Sequence, residues 1–163
     1  MIVVSACLCG INCKYSGKNN FNEKIYELVK EGKAIAVCPE VLGGLNTPRP
    51  PYEIQGGQCG KEVLKGHGKV VSKNNEDSTT EFIDGAYKVL KIVQAINPEV
   101  IVLKANSPSC GKGQIYDGSF NNNKVTGNGV TAELLLQNNY AVITEDEFNS
   151  KYEIYIGNNI NKE

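Results

Sequence analysis

Three short runs, apolar on both faces, constrain this chain more than any other feature. Ile2–Ser5, Ala34–Val37 and Val100–Leu103 each read as a strand, and amphipathic stretches separate them. A strand that hides both faces belongs inside a parallel sheet with helices above and below. The expected fold class is therefore α/β, a Rossmann-like parallel sheet in three layers. At 163 residues, the chain is expected to form a single domain over 1–156, followed by a polar, loose tail over 157–163.

The segments between carry their own signals. Ile25, Leu28 and Val29 share one face of an expected helix over 22–31, and Gly32 stops it. Ser78-Thr79-Thr80-Glu81 has the pattern of a capping box and opens the clearest helix, which Asn97-Pro98 ends. Segment 43–60 is too rich in Pro and Gly, and too long, for a plain connection. Val63-Leu64 and Val70-Val71 flank Gly66-His67-Gly68 and read as a hairpin. A helix over 131–136, a strand over 140–143 and a short helix after Thr144 complete the expected elements.

Several function classes are disfavoured by composition. Lys and Arg number 17 against 18 Asp and Glu, with no basic run, so no nucleic-acid polymer is expected as partner. The longest apolar stretches reach only four to six residues, far short of a membrane span. Residues 1–6 read as a strand rather than a signal peptide, so a cytoplasmic location is expected. Six cysteines in a reducing compartment point to metal binding or catalysis more than to disulfides.

Strand placement sorts those cysteines. Ligands of open α/β sheets sit beyond the carboxyl ends of the strands. Cys7 follows the first strand by two residues, Cys38 follows the second directly, and Cys110 lies in the loop after Val100–Leu103. All three leave the same edge, and neighbouring strands stand only ~4.8 Å apart. A closed zinc site would want four ligands from Cys-x-x-Cys pairs, which the sequence lacks, and the one histidine, His67, sits in an expected turn. Three thiolates suit an iron–sulfur cluster with one iron left open, whereas Cys13 or Cys9 as a fourth ligand would close it.

The residues also carry a resemblance. Val4-Ser5-Ala6-Cys7-Leu8-Cys9-Gly10, Lys14-Tyr15-Ser16-Gly17, Cys38-Pro39-Glu40-Val41-Leu42-Gly43-Gly44-Leu45, Pro48-Arg49-Pro50-Pro51-Tyr52-Glu53-Ile54, Leu103-Lys104, Ser107-Pro108-Ser109-Cys110-Gly111 and Tyr116-Asp117-Gly118 resemble the thiouracil desulfidase family. These small bacterial iron–sulfur proteins were long grouped as a domain of unknown function. The resemblance spans nearly the whole chain to about Asp146. It implies a 4Fe-4S cluster held by Cys7, Cys38 and Cys110, with one open iron to take the sulfur of a small thio-substrate. The implied reaction is redox-neutral, with water replacing sulfur on a thiouracil-like base and hydrogen sulfide leaving. A non-catalytic iron–sulfur protein with a fully ligated cluster is the alternative. Cys9 stands where Leu is common in the family, and Lys14 and Ser16 where Arg and Asp are common; the last two changes bear on the substrate pocket.

Such chemistry needs proton carriers near the ring. Glu40, two residues past a proposed ligand, is the candidate general acid–base. Ser109 precedes another ligand and is a candidate for bonding a substrate carbonyl or guiding water, while Ser107 suits the turn itself. Cys13 is the candidate proton shuttle or transient sulfur acceptor. Lys104 is placed to offset cluster charge, and the fork of Arg49 to clamp a carbonyl or an anion.

Overall fold

The computed structural model describes residues 1–160 and places four parallel strands at the centre. These are β1 (Ile2–Ser5), β2 (Ala34–Val37), β5 (Val100–Leu103) and β8 (Val142–Thr144), in the order β2-β1-β5-β8. Their parallel register is continuous, Val4 pairing with both Ala36 and Val102. Side chains alternate across a pleat, and the alternation divides the core in two. Ile2, Val4, Val100 and Val102 pack with Ile25, Leu28 and Phe148 of α1 (Glu23–Lys30) and α6 (Glu145–Ile160). Val3, Ile101 and Leu103 pack on the other face with α4 (Thr79–Ile96) and α5 (Val130–Gln137). The three-layer α/β reading holds.

The order 2-1-5-8 reverses direction around β1, because the chain leaves β1 for β2 on one side and later reaches β5 on the other. A crevice opens at such a switch point, beyond the carboxyl ends. Two antiparallel pairs flank it: β3 (Tyr52–Ile54) with β4 (Val70–Ser72), and β6 (Gln114–Tyr116) with β7 (Lys124–Thr126). A one-turn helix, α2 (Pro39–Leu42), starts on the residue after Cys38. It lies backbone to backbone on α4, where a Cβ on Gly43 would overlap the Glu81 carbonyl and one on Gly85 the Pro39 carbonyl.

Three expectations are corrected. Val63-Leu64 is not a strand but the end of α3 (Gly60–Leu64), whose N-terminus is capped when Glu62 accepts from the Cys59 N–H at 2.9 Å. The partner of β4 is instead β3, from within the Pro- and Gly-rich stretch. Ser78 does not cap α4; its hydroxyl donates to Tyr52 Oη at 2.9 Å, and Asp77 Oδ1 accepts from Thr79 N at 3.0 Å. The last helix is longer than expected: α6 runs to Ile160, past Gly157 where a loose tail was expected, and 161–163 lie outside the described residues. The β6–β7 hairpin had no counterpart in the expected elements.

Candidate active site

Cys7 sits in a 3-10 turn, Ala6–Cys9, immediately after β1, and that turn ends on Gly10 at φ +91°. Cys38 is the residue between β2 and α2, with Pro39 fixing the first helical φ. Cys110 follows a tight turn built by Ser107, whose Oγ accepts from the N–H groups of Ser109 and Cys110 at 3.1 Å each. These three thiols and Cys13 line one cavity of about 540 Å³ at the switch point, with Glu40, Ser109, Ser107, Lys104 and Arg49 in its wall. The residues singled out in the sequence thus converge. Cys9 and Cys59 do not join them: Cys9 Sγ donates to the Ala6 carbonyl at 3.2 Å, and Cys59 Sγ to Glu62 Oε2 at 3.1 Å.

Three of the four cavity thiols, Cys7, Cys13 and Cys38, are linked to one another. Cys13 is hydrogen-bonded to both Cys38 and Cys7, and as the shared donor its own pKa is driven far up. The same bond lowers the Cys38 thiol to about 7 against the cost of burial, with the Val41 N–H adding to the effect. Cys7 is likewise lowered, first by Cys13 and then by the Asn20 side chain and the Lys104 charge. Cys110 moves the other way, pushed up to about 12 by burial although Ser109 and Ser5 bond it. Two thiols are thus readied as thiolates and a third awaits a partner in an apolar wall.

Beside the thiols runs a polar chain. Arg49 Nε donates to Glu40 Oε1 at 3.0 Å, with the two side chains only 5% and 15% exposed. Ser109 Oγ donates to Glu40 Oε2 at 3.0 Å and lies 3.0 Å from Ser107 Oγ and 3.6 Å from Cys110 Sγ. A hydroxyl has one proton, so while Ser109 gives it to Glu40, Ser107 is its donor. Arg49 is committed inside the protein, its other nitrogens donating to the carbonyls of Cys13 (2.9 Å) and Asn46 (3.2 Å) and to Thr47 Oγ1 (3.2 Å). The guanidinium therefore orients Glu40 and braces the Cys13 loop, rather than standing free for an anion. Lys104 Nζ pairs with Glu145 Oε1 at 2.6 Å and still faces the thiol cavity.

Other cavity residues had escaped the sequence reading. Asn20, Ser5, Tyr116, Phe120, Asn122 and Glu53 also line it. Ser5, Tyr116 and Glu53 lie inside motifs of the resemblance that assign them no role, and Asn20 lies outside all of those motifs. Lys14, one of the three positions that depart from the family pattern, is in the wall and bonds Asn20 Oδ1 at 3.4 Å; Ser16 is not among the lining residues.

Residues 2–147 match the 2-thiouracil desulfurase family. The chain is similar to YbbK of Bacillus subtilis (strain 168), 52% identical over 149 residues that make up 91% of this chain and 98% of YbbK. Among solved structures it resembles TudS, a [4Fe-4S]-dependent thiouracil desulfidase, with a TM-score of 0.79 and 40% identity, covering 91% of this chain and 93% of that one. Among the described residues, no helix is long and apolar enough to cross a membrane.

Proposed function

The chain belongs to the 2-thiouracil desulfurase family, and from that premise we propose that it is a 4Fe-4S-dependent desulfidase for a thiouracil-like base. Water replaces the sulfur: the C=S of the substrate becomes C=O, and sulfur leaves as hydrogen sulfide with both protons of the water. No electrons are exchanged. The observation that carries the reading is the meeting of Cys7, Cys38 and Cys110 in one cavity with the Glu40–Ser109 pair.

The residues fit the cluster. Three thiols rise from the carboxyl ends of β1, β2 and β5, two with lowered pKa and one deeply buried. Among the described residues no three His, Cys, Asp or Glu side chains close around a single ion, and thiolates that each hold a different iron have no need to. Cys7, Cys38 and Cys110 would hold the cluster, which when bound supplies an open, Lewis-acidic iron for the substrate sulfur. Glu40 is the proton carrier: Oε2 takes the proton of the attacking water or returns it to the leaving group, and Ser109 Oγ–H holds that oxygen in place. Arg49 on Oε1 keeps the carboxylate turned toward the cavity. Cys13 is a nearby thiol donor on the same wall.

The test is anaerobic reconstitution with iron and sulfide, followed by 2-thiouracil. Uracil and hydrogen sulfide in equal amounts, without added reductant, are the expected result. Turnover only with reductant would overturn the redox-neutral reading. A second reading, a closed cluster with Cys13 as fourth ligand, is favoured by the contact of Cys13 with both Cys7 and Cys38. Cys13→Ala separates the two, since the open site keeps its full iron and the closed one loses part of it.

A further inference from the structure

Two motifs meet at the far wall of the cavity, away from any role in moving sulfur. Glu53 comes from Pro48-Arg49-Pro50-Pro51-Tyr52-Glu53-Ile54 and Gly118 from Tyr116-Asp117-Gly118. Glu53 is 7% exposed, lines the cavity, and among the described residues forms no ion pair. Its Oε1 instead accepts from two backbone N–H groups of one turn, Gly118 at 3.0 Å and Phe120 at 3.2 Å. Desolvation of a carboxylate is offset here by charge-assisted bonds to main chain alone. What the carboxylate secures is therefore the position of that turn.

The turn joins β6 to β7 and lies flat on the end of β3. A Cβ on Gly118, at φ +93°, would meet the Ile54 carbonyl oxygen at 2.6 Å and Gln55 Cα at 2.9 Å, so only glycine lets the two segments approach. The Gly57 N–H donates to the Asp117 carbonyl at 3.0 Å and ties the same edge down. Within the turn Phe120 adopts φ +57°, a left-handed conformation that a bulky residue rarely takes. The bond from its own N–H to Glu53 helps hold it there, and the residue lines the cavity with Tyr116 and Asn122. Strained backbone that is held by a buried side chain at a cavity wall marks a site of function.

We propose that Glu53 is a positioning residue that fixes the 117–123 turn so that the ring of Phe120 forms the stacking platform for the substrate's pyrimidine. The identity of the ligand rests on the desulfidase reading; the platform itself requires only a flat, polarisable ring. Stacking on a π-face is indifferent to whether the ring carries sulfur or oxygen. The platform therefore sets affinity, and the thiols and Glu40 set the chemistry.

The test reads binding and turnover separately on the loaded enzyme. Phe120→Ala is expected to raise the KM for 2-thiouracil about tenfold, within the range of base–aromatic stacking, with kcat changed by less than about twofold and iron content full. Glu53→Ala should raise KM to a similar extent, and the double variant should exceed the larger single effect by less than about twofold, because both remove one platform. Glu53→Gln, whose amide oxygen still accepts from the two N–H groups, should recover most of the affinity. Phe120→Leu keeps apolar bulk but no π-face, so its KM should rise as for alanine even if Glu53→Ala does not fold. An unchanged KM in Phe120→Leu, or effects of Glu53→Ala and Phe120→Ala that multiply, overturns the proposal. Phe120→Trp adds a binding signal independent of turnover in a chain that has no tryptophan. Quenching of its fluorescence by 2-thiouracil is expected. Quenching without sulfide release keeps the platform and overturns the desulfidase reading; sulfide release without quenching does the reverse, and the absence of both overturns both.

Discussion

The cavity thiols and the thiols outside it share one chemistry in two kinds of surroundings. Cys9 and Cys59 each give their proton to an oxygen, the Ala6 carbonyl and the Glu62 carboxylate, and burial raises both pKa values. Nothing further is asked of them; they behave as small polar links in the fold. In the cavity Cys7, Cys13 and Cys38 have chiefly one another. Thiols whose partners are thiols depend on losing protons, and a metal supplies the reason to lose them. Partner type, more than burial, separates the two groups, since Cys9 is as buried as Cys13.

The sharpest way to break this comparison is to remove the sulfurs one at a time. Cys7→Ala, Cys38→Ala and Cys110→Ala should each lose the cluster or its stable incorporation, read as iron and acid-labile sulfide after anaerobic reconstitution. Cys9→Ala should keep its full complement. Full iron in any of the first three would remove that residue from the ligand set. The metal-free protein offers a second contrast, within the cavity. With its thiol lowered to about 7, Cys38 is a thiolate above that pH and protonated below, so its alkylation should rise through pH 7. Cys110, pushed up to about 12, stays protonated across the same range and should remain unlabelled. Peptide mass spectrometry after a brief iodoacetamide pulse reads both; equal labelling of the two at pH 7 would contradict the assigned surroundings.

Glu40→Gln gives the next largest effect. The amide keeps the shape and can still accept from Ser109, but it has no titrating group. Iron content should stay normal while turnover falls by roughly two orders of magnitude or more. Near-normal turnover with a full cluster would move the proton carrier to Cys13 or Ser109. Loss of the cluster would instead make the Arg49–Glu40 pair structural, because breaking one partner of a buried pair commonly costs about 3–5 kcal/mol.

What was legible in the sequence follows from the range of each interaction. The carboxyl-edge cysteines could be grouped because each follows an apolar run within a few residues, and parallel strands place their ends together. Glu40 and Ser109 were found by adjacency to those ligands. The pairing of Arg49 with Glu40 was not, since the Pro- and Gly-rich segment between them leaves no periodic trace. Glu53 was passed over for a similar reason: its partners are main-chain amides 65 and 67 residues away, invisible to any side-chain pattern. The expected hairpin over 63–71 rested on Val63-Leu64 and Val70-Val71 flanking glycines, and only the second pair is a strand. The Cys59–Glu62 cap and the seat of Gly60 against the Gly129 carbonyl made the first of them a helix.

That cap provides the smallest and most discriminating test. Cys59 is the N-cap of α3: its carbonyl accepts from the Glu62 N–H at 3.1 Å, its sulfur gives its proton to Glu62 Oε2, and that carboxylate accepts from the Cys59 N–H. Cys59→Ala removes the thiol donor from Glu62 Oε2 while the main-chain bonds of the cap stay, a loss of about 0.5–1.5 kcal/mol for one hydrogen bond. In a domain of this size that is a fall in Tm of roughly 2–4 °C for each kcal/mol. Cys59→Ser, with a hydroxyl that both donates and accepts, should restore most of it. The pH dependence has a definite sign. The Cys59 bond holds the Glu62 carboxyl below its ordinary range, so the folded pKa lies under the unfolded one. The stabilisation is then complete above the unfolded value of about 4.3 and is lost as pH falls through the folded one. The Tm gap between wild type and Cys59→Ala should therefore be widest near neutrality and shrink in acid, with iron content unchanged throughout. A gap independent of pH would mean that the thiol stabilises by packing alone. Iron lost from Cys59→Ala would place Cys59 among the ligands and erase the distinction between the two groups of thiols.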